Sequence, residues 1–214
     1  MSTAPAYIAA PASGSGPCVL VLHSWWGLNE HVRHTCDELA ERGYLAVAPD
    51  LFAGRTAATA AEARNLRAQA SARRRVPAYR LLIGALEDAL ASGQAKGTAA
   101  AVIGYSMGGH WALWLAQRPE LPIERTVVHY AVRNGDYTRS RSEFLFHLAE
   151  HDKWVSPAAT QRLQRSLADA HRTASFYVYP GTRHWFVERG PGRAFHPAAA
   201  RLAWKRTLAF LAAK

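Results

Sequence analysis

The segment Gly104-Tyr105-Ser106-Met107-Gly108 has the spacing G-x-S-x-G, which places a nucleophilic serine on a sharp turn between a strand and a helix. The apolar run AAAVIG before it predicts the strand, and the Ala-, Trp- and Leu-rich segment after it predicts the helix. Glycines two positions either side of Ser106 are needed because larger residues would collide with neighbouring backbone. The alternative is a glycine-rich turn with an incidental serine. The context favours a nucleophile at the positive end of a helix.

A serine nucleophile needs a base and an orienting acid, which in this kind of site follow in the order Ser, Asp or Glu, His. Asp152 comes shortly after an apolar run, in a loop before a predicted helix. Glu150 and Asp136 are the competing acids, and Asp152 is favoured for its place in that loop. His184 is favoured among the ten histidines because it follows the last predicted strand and precedes the last predicted helix. We therefore predict a catalytic triad of Ser106, Asp152 and His184.

Acyl transfer to serine also requires backbone N–H donors for the developing oxyanion. One expected donor is Met107, directly after the nucleophile. The other is Trp25, in the loop after the apolar run CVLVLH. Trp25 and Trp26 have a simpler alternative role as large aromatic side chains that cover the core. Both roles are compatible.

The elements that would position these residues alternate along the chain. Short apolar runs predict strands at residues 7–10, 18–23, 44–48, 99–104, 125–131, 142–149 and 175–179. Helical patterns lie at residues 29–42, 107–117, 157–170 and 197–213, and within 58–93 with a break near Pro77. This order predicts one doubly wound α/β domain over residues 1–214, with a mostly parallel sheet, helices on both faces and no large lid. Residues 1–16 are expected to supply an edge strand and a turn.

The composition restricts the class of protein. The chain has 214 residues, of which 49% are hydrophobic, enough to bury a substantial core. No apolar run is long enough to span a membrane, and residues 1–16 lack a signal-peptide pattern, so a cytoplasmic protein is expected. The two cysteines, Cys18 and Cys36, are expected to be buried free thiols.

The net charge of +10 raises the question of nucleic-acid binding. The arginines are scattered, apart from the cluster Arg73-Arg74-Arg75, and no nucleic-acid-binding signature accompanies them. A solvated basic surface is the preferred interpretation, and arginines lining a pocket for an anionic substrate are the second. No metal site is expected, because His31 and His34 lack an evident third ligand. No cofactor is expected, since neither a dinucleotide fingerprint nor a Walker loop is present.

The chain resembles the dienelactone hydrolase family in four blocks, VLVLHSWWGLNEHVRHTCDELAERGYLAVAPDLFAGR, GYSMGG, HDKWVSP and YPGTRHWF. The resemblance runs from about Tyr7 to Phe186. It implies an α/β-hydrolase fold and cofactor-free hydrolysis of esters or lactones by a nucleophile–Asp–His triad. Its motifs carry over onto Ser106, Asp152 and His184, with Trp25 and Met107 as oxyanion donors.

Two residues depart from the family pattern. Ser106 stands where well-known members have cysteine, and Ser24 stands where they have a glutamate tied to control of the thiol. The two changes are consistent with each other, because a serine needs only the His–Asp pair. Family enzymes also hold a substrate carboxylate with an arginine near the catalytic histidine, and no arginine here matches that motif position. The residues expected to contact substrate are Ser24, Trp26, Tyr105, Arg133, Arg183, Trp185 and Arg189.

These observations predict a carboxylic-ester or lactone hydrolase that acts through an acyl-enzyme on small soluble substrates, including anionic ones. It is expected to be a monomer or small homo-oligomer and to bind neither nucleic acid nor membrane. An acyltransferase or small peptidase could use the same triad. A further alternative is a non-catalytic basic binding module on a hydrolase scaffold.

Overall fold

The computed structural model of the chain describes residues 5–73, 77–190 and 192–213. The strands are β1 (Ala6–Ala9), β2 (Gly16–Leu22), β3 (Leu45–Pro49), β4 (Ala95–Tyr105), β5 (Ile123–His129), β6 (Glu143–His151) and β7 (Ala174–Arg183). The helices are α1 (Glu30–Glu41), α2 (Ala60–Arg73), α3 (Ala78–Ala91), α4 (Met107–Ala116), α5 (Pro157–Asp169) and α6 (Pro197–Ala212). The side chains of the cluster Arg73-Arg74-Arg75 lie outside the described residues. None of the described helices is long and apolar enough to cross a membrane.

The seven strands form one sheet in the order β1-β3-β2-β4-β5-β6-β7. β1 is antiparallel to β3, whereas β2 pairs with β3, β5 with β6, and β6 with β7 in parallel. Parallel strands need crossover connections. Helix α1 lies in the connection from β2 to β3 and α5 in that from β6 to β7, whereas β5 and β6 are joined by an irregular segment, residues 130–142. The mostly parallel α/β sheet that the sequence predicts is therefore confirmed.

Contacts divide the chain into two compact units, Met1–Ala100 and Ala101–Lys214, with the boundary inside β4. In the first unit, Val32, Cys36 and Leu39 form the fully buried apolar face of α1. Cys18 and Cys36 are free and buried, as predicted. Burial raises the pKa of the Cys18 thiol to about 11 and that of Cys36 to about 12, so both stay protonated at neutral pH.

In the second unit, β5 and β6 supply the central apolar layer. Val127, Val128 and Phe146 are fully buried. Near-continuous apolar runs of this kind are typical of parallel strands covered on both faces. The polar residues of this unit that matter for chemistry lie at or just beyond the carboxyl ends of β4, β5, β6 and β7.

β4 and β7 are considerably longer than the sequence predicts. β4 begins at Ala95 rather than at residue 99, through the segment Lys96-Gly97-Thr98, which is polar or small and gives no apolar periodicity. β7 continues to Arg183 through Pro180 and Gly181, which are typical turn residues. His151 still pairs with Arg183 there, after an irregularity in the register near Ala149 and His151. The apolar pattern of the side chains therefore predicts neither strand end.

Candidate active site

Ser106 lies between β4 and α4 in a backbone conformation that L residues rarely adopt. Its φ is 51° and its ψ is −109°, and such conformations cost about 1–3 kcal/mol and persist where the surroundings enforce them. Two backbone hydrogen bonds do so here. Ser106 N donates to the carbonyl oxygen of His129 at 3.0 Å, and His110 N donates to the carbonyl oxygen of Ser106 at 3.0 Å.

Glycines allow the strand and the helix to meet at this turn. A Cβ atom on Gly104 would lie 2.4 Å from the carbonyl oxygen of Gly108, and one on Gly109 would lie 2.8 Å from Cβ of Ala131. Neither separation is sterically possible. The close approach that the G-x-S-x-G spacing predicts is thus present around Ser106, together with the strained serine itself.

The structure brings Ser106, His184 and Asp152 into one hydrogen-bonded chain. Ser106 Oγ lies 2.8 Å from His184 Nε2, and His184 Nδ1 lies 2.7 Å from Asp152 Oδ2. Because a carboxylate only accepts, Nδ1 carries the proton and Nε2 is left to accept from the serine. The His184 and Asp152 side chains are buried. Asp152 Oδ1 also accepts from the backbone N–H groups of Trp154 and Val155, at 2.8 and 3.1 Å, which fixes the carboxylate at both oxygens.

The two competing acids have other partners. Glu150 Oε2 accepts from the Gly181 backbone at 2.8 Å and lies 3.3 Å from the exposed imidazole of His151. Asp136 Oδ1 accepts from the backbone and hydroxyl of Thr138. Only Asp152, of the three acids considered, hydrogen-bonds to His184 in the described residues.

A buried pair that sequence reasoning missed lies beside His184. The Tyr130 hydroxyl donates to Glu188 Oε1 at 2.6 Å, and the Tyr130 ring centroid is 4.7 Å from that of His184. Burial, and then the charge of Glu188, raise the pKa of Tyr130 well above its ordinary value, so its hydroxyl remains a donor. The available signal was a carboxylate at the end of the apolar run Trp185-Phe186-Val187, in the loop of His184.

Residues 4–214 match the model of the dienelactone hydrolase family. The chain belongs to the dienelactone hydrolase family. A putative carboxymethylenebutenolidase of Azospirillum brasilense is 30% identical over 220 residues, covering 96% of this chain and 91% of the relative. The carboxymethylenebutenolidase of Pseudomonas putida is 27% identical, over 97% of this chain and 90% of the relative. A crystal structure of a putative dienelactone hydrolase from Klebsiella pneumoniae subsp. pneumoniae has the same fold, with a TM-score of 0.72 at 24% identity over 98% of this chain and 93% of that one.

In this dienelactone hydrolase family member, Met107 is the first residue of α4, directly after the strained serine. Trp25 lies in the first unit, where its side chain is buried against Trp26, with ring centroids 5.4 Å apart. Their burial agrees with the core-covering role. The use of the Trp25 and Met107 backbone amides as oxyanion donors stays a prediction.

The predicted substrate contacts of this family member differ in exposure. Ser24, Trp26 and Tyr105 are buried, Arg133 and Trp185 are half-buried, and Arg183 and Arg189 are exposed. Tyr105 stacks on His129 with ring centroids 4.7 Å apart, and Arg189 lies over the ring of Phe195 at 4.9 Å. Ser24 Oγ accepts from the Trp26 backbone at 3.4 Å, and Arg133 contacts His110. Within the described residues, no group of three or more His, Cys, Asp or Glu side chains is placed to hold a metal ion.

Proposed function

We propose that this dienelactone hydrolase family member is a serine hydrolase that cleaves carboxylic esters or lactones of small molecules through an acyl-enzyme. The observation that carries the proposal is the hydrogen-bonded chain from Ser106 Oγ through His184 to Asp152, at 2.8 and 2.7 Å. In this chain a neutral imidazole can take the serine proton while a fixed carboxylate stabilises the imidazolium that forms.

The reaction begins when Ser106 Oγ attacks the carbonyl carbon and its proton passes to His184 Nε2. The backbone N–H groups of Met107 and Trp25 are the proposed donors to the oxyanion. His184 then gives its proton to the leaving oxygen as the C–O bond breaks, which leaves an acyl-Ser106. Water attacks that ester with His184 again as base, and Ser106 recovers its proton as the acid product leaves. In a lactone the leaving oxygen stays attached to the acyl group.

The decisive experiment compares wild type, Ser106→Ala and the control Ser13→Ala on short nitrophenyl esters. Ser13 is an exposed serine in a turn outside the proposed site. We expect Ser106→Ala to lower kcat at least about a thousandfold, because the nucleophile is lost, and Ser13→Ala to match wild type. Circular dichroism and thermal unfolding would establish that each variant is folded.

A fluorophosphonate probe followed by peptide mass spectrometry tests the same assignment when the nitrophenyl esters are poor substrates. We expect one adduct, on Ser106, in wild type and in Ser13→Ala. Substantial turnover by folded Ser106→Ala, or an adduct on a different serine, would contradict the proposed function.

A further inference from the structure

Two tryptophans flank the imidazole of His184, and we call Trp154 and Trp185 together the tryptophan wall. The Trp185 and His184 ring centroids are 4.7 Å apart with the ring planes at 89°. The Trp154 and His184 centroids are 6.3 Å apart, and the two indoles are 6.2 Å apart. His184, the proposed general base, therefore lies beside two indole rings, one from the loop after β6 and one from the loop after β7.

Trp154 is exposed to solvent yet held by the catalytic carboxylate. Its exposed fraction is 58%, which is high for the largest apolar side chain. Its backbone N–H donates to Asp152 Oδ1, while Asp152 Oδ2 accepts from His184 Nδ1. One carboxylate thus fixes both the imidazole and the backbone that carries the exposed indole. An apolar surface held beside reacting atoms is suited to contact a substrate.

Trp185 is held in place by its backbone and by a glycine. Its φ is 70°, in the left-handed region that residues with side chains rarely adopt. Gly192 lies directly against the side chain, since a Cβ atom there would be 3.0 Å from Trp185 Cε3. The indole is half-buried, so part of its surface remains accessible. The second ring of the tryptophan wall is therefore preorganised and partly open.

The position of the wall determines which part of an ester it can touch. His184 Nε2 must receive the proton of Ser106 Oγ and then deliver it to the leaving oxygen, so that oxygen has to come within hydrogen-bond reach of the imidazole. The alcohol portion of the ester consequently lies on the imidazole side of the scissile bond. A group attached to that oxygen therefore has the two indoles beside the imidazole as candidate neighbours.

We propose that the tryptophan wall is a subsite for the alcohol portion of the substrate and selects a flat, aromatic or unsaturated group there. This inference rests on the proposed ester hydrolase function. Indole faces bind planar π systems more favourably than puckered rings of equal size, because stacked and edge-to-face aromatic pairs add to the gain from burial. The specificity of this family member for its leaving group is thus assigned to Trp154 and Trp185.

The test compares benzyl acetate with cyclohexylmethyl acetate in wild type and in Trp154→Ala. Both esters form the same acetyl-enzyme and release primary alcohols of similar size, so the ratio of their kcat/KM values reports recognition of the ring during acylation. We expect wild type to favour the benzyl ester. Trp154→Ala should lower kcat/KM for the benzyl ester by about five- to tenfold and for the cyclohexylmethyl ester by less than about twofold.

Three controls make the result specific. Trp154→Phe should keep the preference for the benzyl ester, and Val178→Ala, which removes an equally exposed side chain from β7, should leave it unchanged. Methyl phenylacetate and methyl cyclohexylacetate carry the same two rings on the acyl side, and their ratio should not respond to Trp154→Ala. An equal loss for both acetates, or a loss confined to the acyl-side pair, would overturn the subsite while the ester hydrolase function stands.

Labelling of Ser106 by a fluorophosphonate separates failure of the subsite from failure of the proposed hydrolase function. If wild type hydrolyses neither acetate and a fluorophosphonate fails to label Ser106, both the subsite and the proposed hydrolase are wrong. If Ser106 is labelled and neither acetate is hydrolysed, the subsite alone is overturned.

Discussion

At the scale of single residues, the pair Tyr130 and Glu188 connects the end of β5 to the loop that carries His184. Tyr130 follows β5 with a φ of 41°, and its ring contacts the imidazole while its hydroxyl donates to Glu188. Glu188 lies four residues after His184 and is only 3% exposed. A buried hydrogen bond to a carboxylate contributes about 1.5–3 kcal/mol. This pair can therefore keep the loop that carries His184 at the position where the imidazole reaches Ser106.

We therefore infer that Tyr130 positions the imidazole of His184, and Tyr130→Phe tests this role. The variant keeps the ring against His184 and removes the donor to Glu188. We expect kcat to fall by about tenfold with KM within about twofold of wild type, because the imidazole is less well aligned while the substrate still binds. Steady-state kinetics on a nitrophenyl ester, at a temperature where the variant is fully folded, measure this split.

Glu188→Gln is the conservative comparison for that prediction, since an amide oxygen can still accept from the Tyr130 hydroxyl. It should retain clearly more of kcat than Tyr130→Phe does. A Tyr130→Phe enzyme with unchanged kcat, or one whose activity loss is fully accounted for by unfolding, would exclude a positioning role.

The sequence pointed to Ser106, Asp152 and His184 because each follows a strand, and the carboxyl ends of parallel strands meet at one edge of a sheet. The position of Glu188 in the loop of His184 was visible in the sequence, but its pairing with Tyr130 was not. The two are 58 residues apart, and no local pattern in either segment indicates that a tyrosine after one strand will donate to a carboxylate in a later loop. Trp154 lay within a recognised block, yet its exposure beside the imidazole depends on how Asp152 holds the loop backbone.

At the scale of elements, the meeting of β4 and α4 leaves no room for a side chain at Gly104. We expect Gly104→Ala to lower the free energy of unfolding by more than about 2 kcal/mol and to abolish most esterase activity. Its Cβ would lie 2.4 Å from the Gly108 carbonyl, so the turn that carries Ser106 has to move. Urea unfolding and nitrophenyl ester hydrolysis together measure both effects.

Gly84→Ala is the matched control, because Gly84 lies within α3 and a Cβ there meets nothing within 4 Å. Alanine at such a helical position should raise stability by about 0.5–1 kcal/mol and leave activity unchanged. Similar losses of stability and activity in both variants would contradict this prediction. They would mean that the fold tolerates glycine substitution poorly in general, and that the close approach at Gly104 is not the cause.

The elements themselves were predictable where apolar pattern and turn residues agreed, as at the break between α2 and α3 near Pro77. The prediction was less accurate where a strand continues through residues with little apolar pattern. The first part of β4 and the Pro180–Gly181 part of β7 were not predicted as strand, because neither has an apolar pattern. In β7 the register with β6 is interrupted there and resumes at His151 and Arg183. For β7 the difference matters to the site, since the strand ends directly before His184.

At the scale of the whole molecule, one buried histidine makes stability depend on pH. His147 in β6 is fully buried and hydrogen-bonds to the Tyr179 hydroxyl at 2.7 Å and to Thr207 Oγ1 at 3.0 Å. Burial, and then the charge of Arg206, lower the pKa of His147 to about 3 from an ordinary value of 6.5. The folded chain therefore keeps this imidazole neutral at pH values where the unfolded chain protonates it.

Between pH 6.5 and about 3 the unfolded state binds up to one proton more than the folded state at this position. Stability contributed by neutral His147 is thus complete above pH 6.5 and is lost as the pH falls, at up to about 1.4 kcal/mol per pH unit. We expect His147→Gln to be destabilised at pH 7, because its buried partners lose a fitting imidazole, and less so at pH 4.5. The difference in free energy of unfolding between wild type and variant should shrink by about 2 kcal/mol over that interval.

Urea unfolding at pH 7.0, 5.5 and 4.5 measures that difference, and His34→Gln is the control, because His34 is exposed on α1. The control should track wild type at each pH, since it replaces an exposed side chain and leaves the buried contacts of His147 in place. A constant difference between wild type and His147→Gln would mean that the folded protein protonates the buried imidazole as readily as the unfolded chain. The acid sensitivity of the fold would then have to come from other groups, and the hydrogen bonds to Tyr179 and Thr207 would have to rearrange to accept a charged ring.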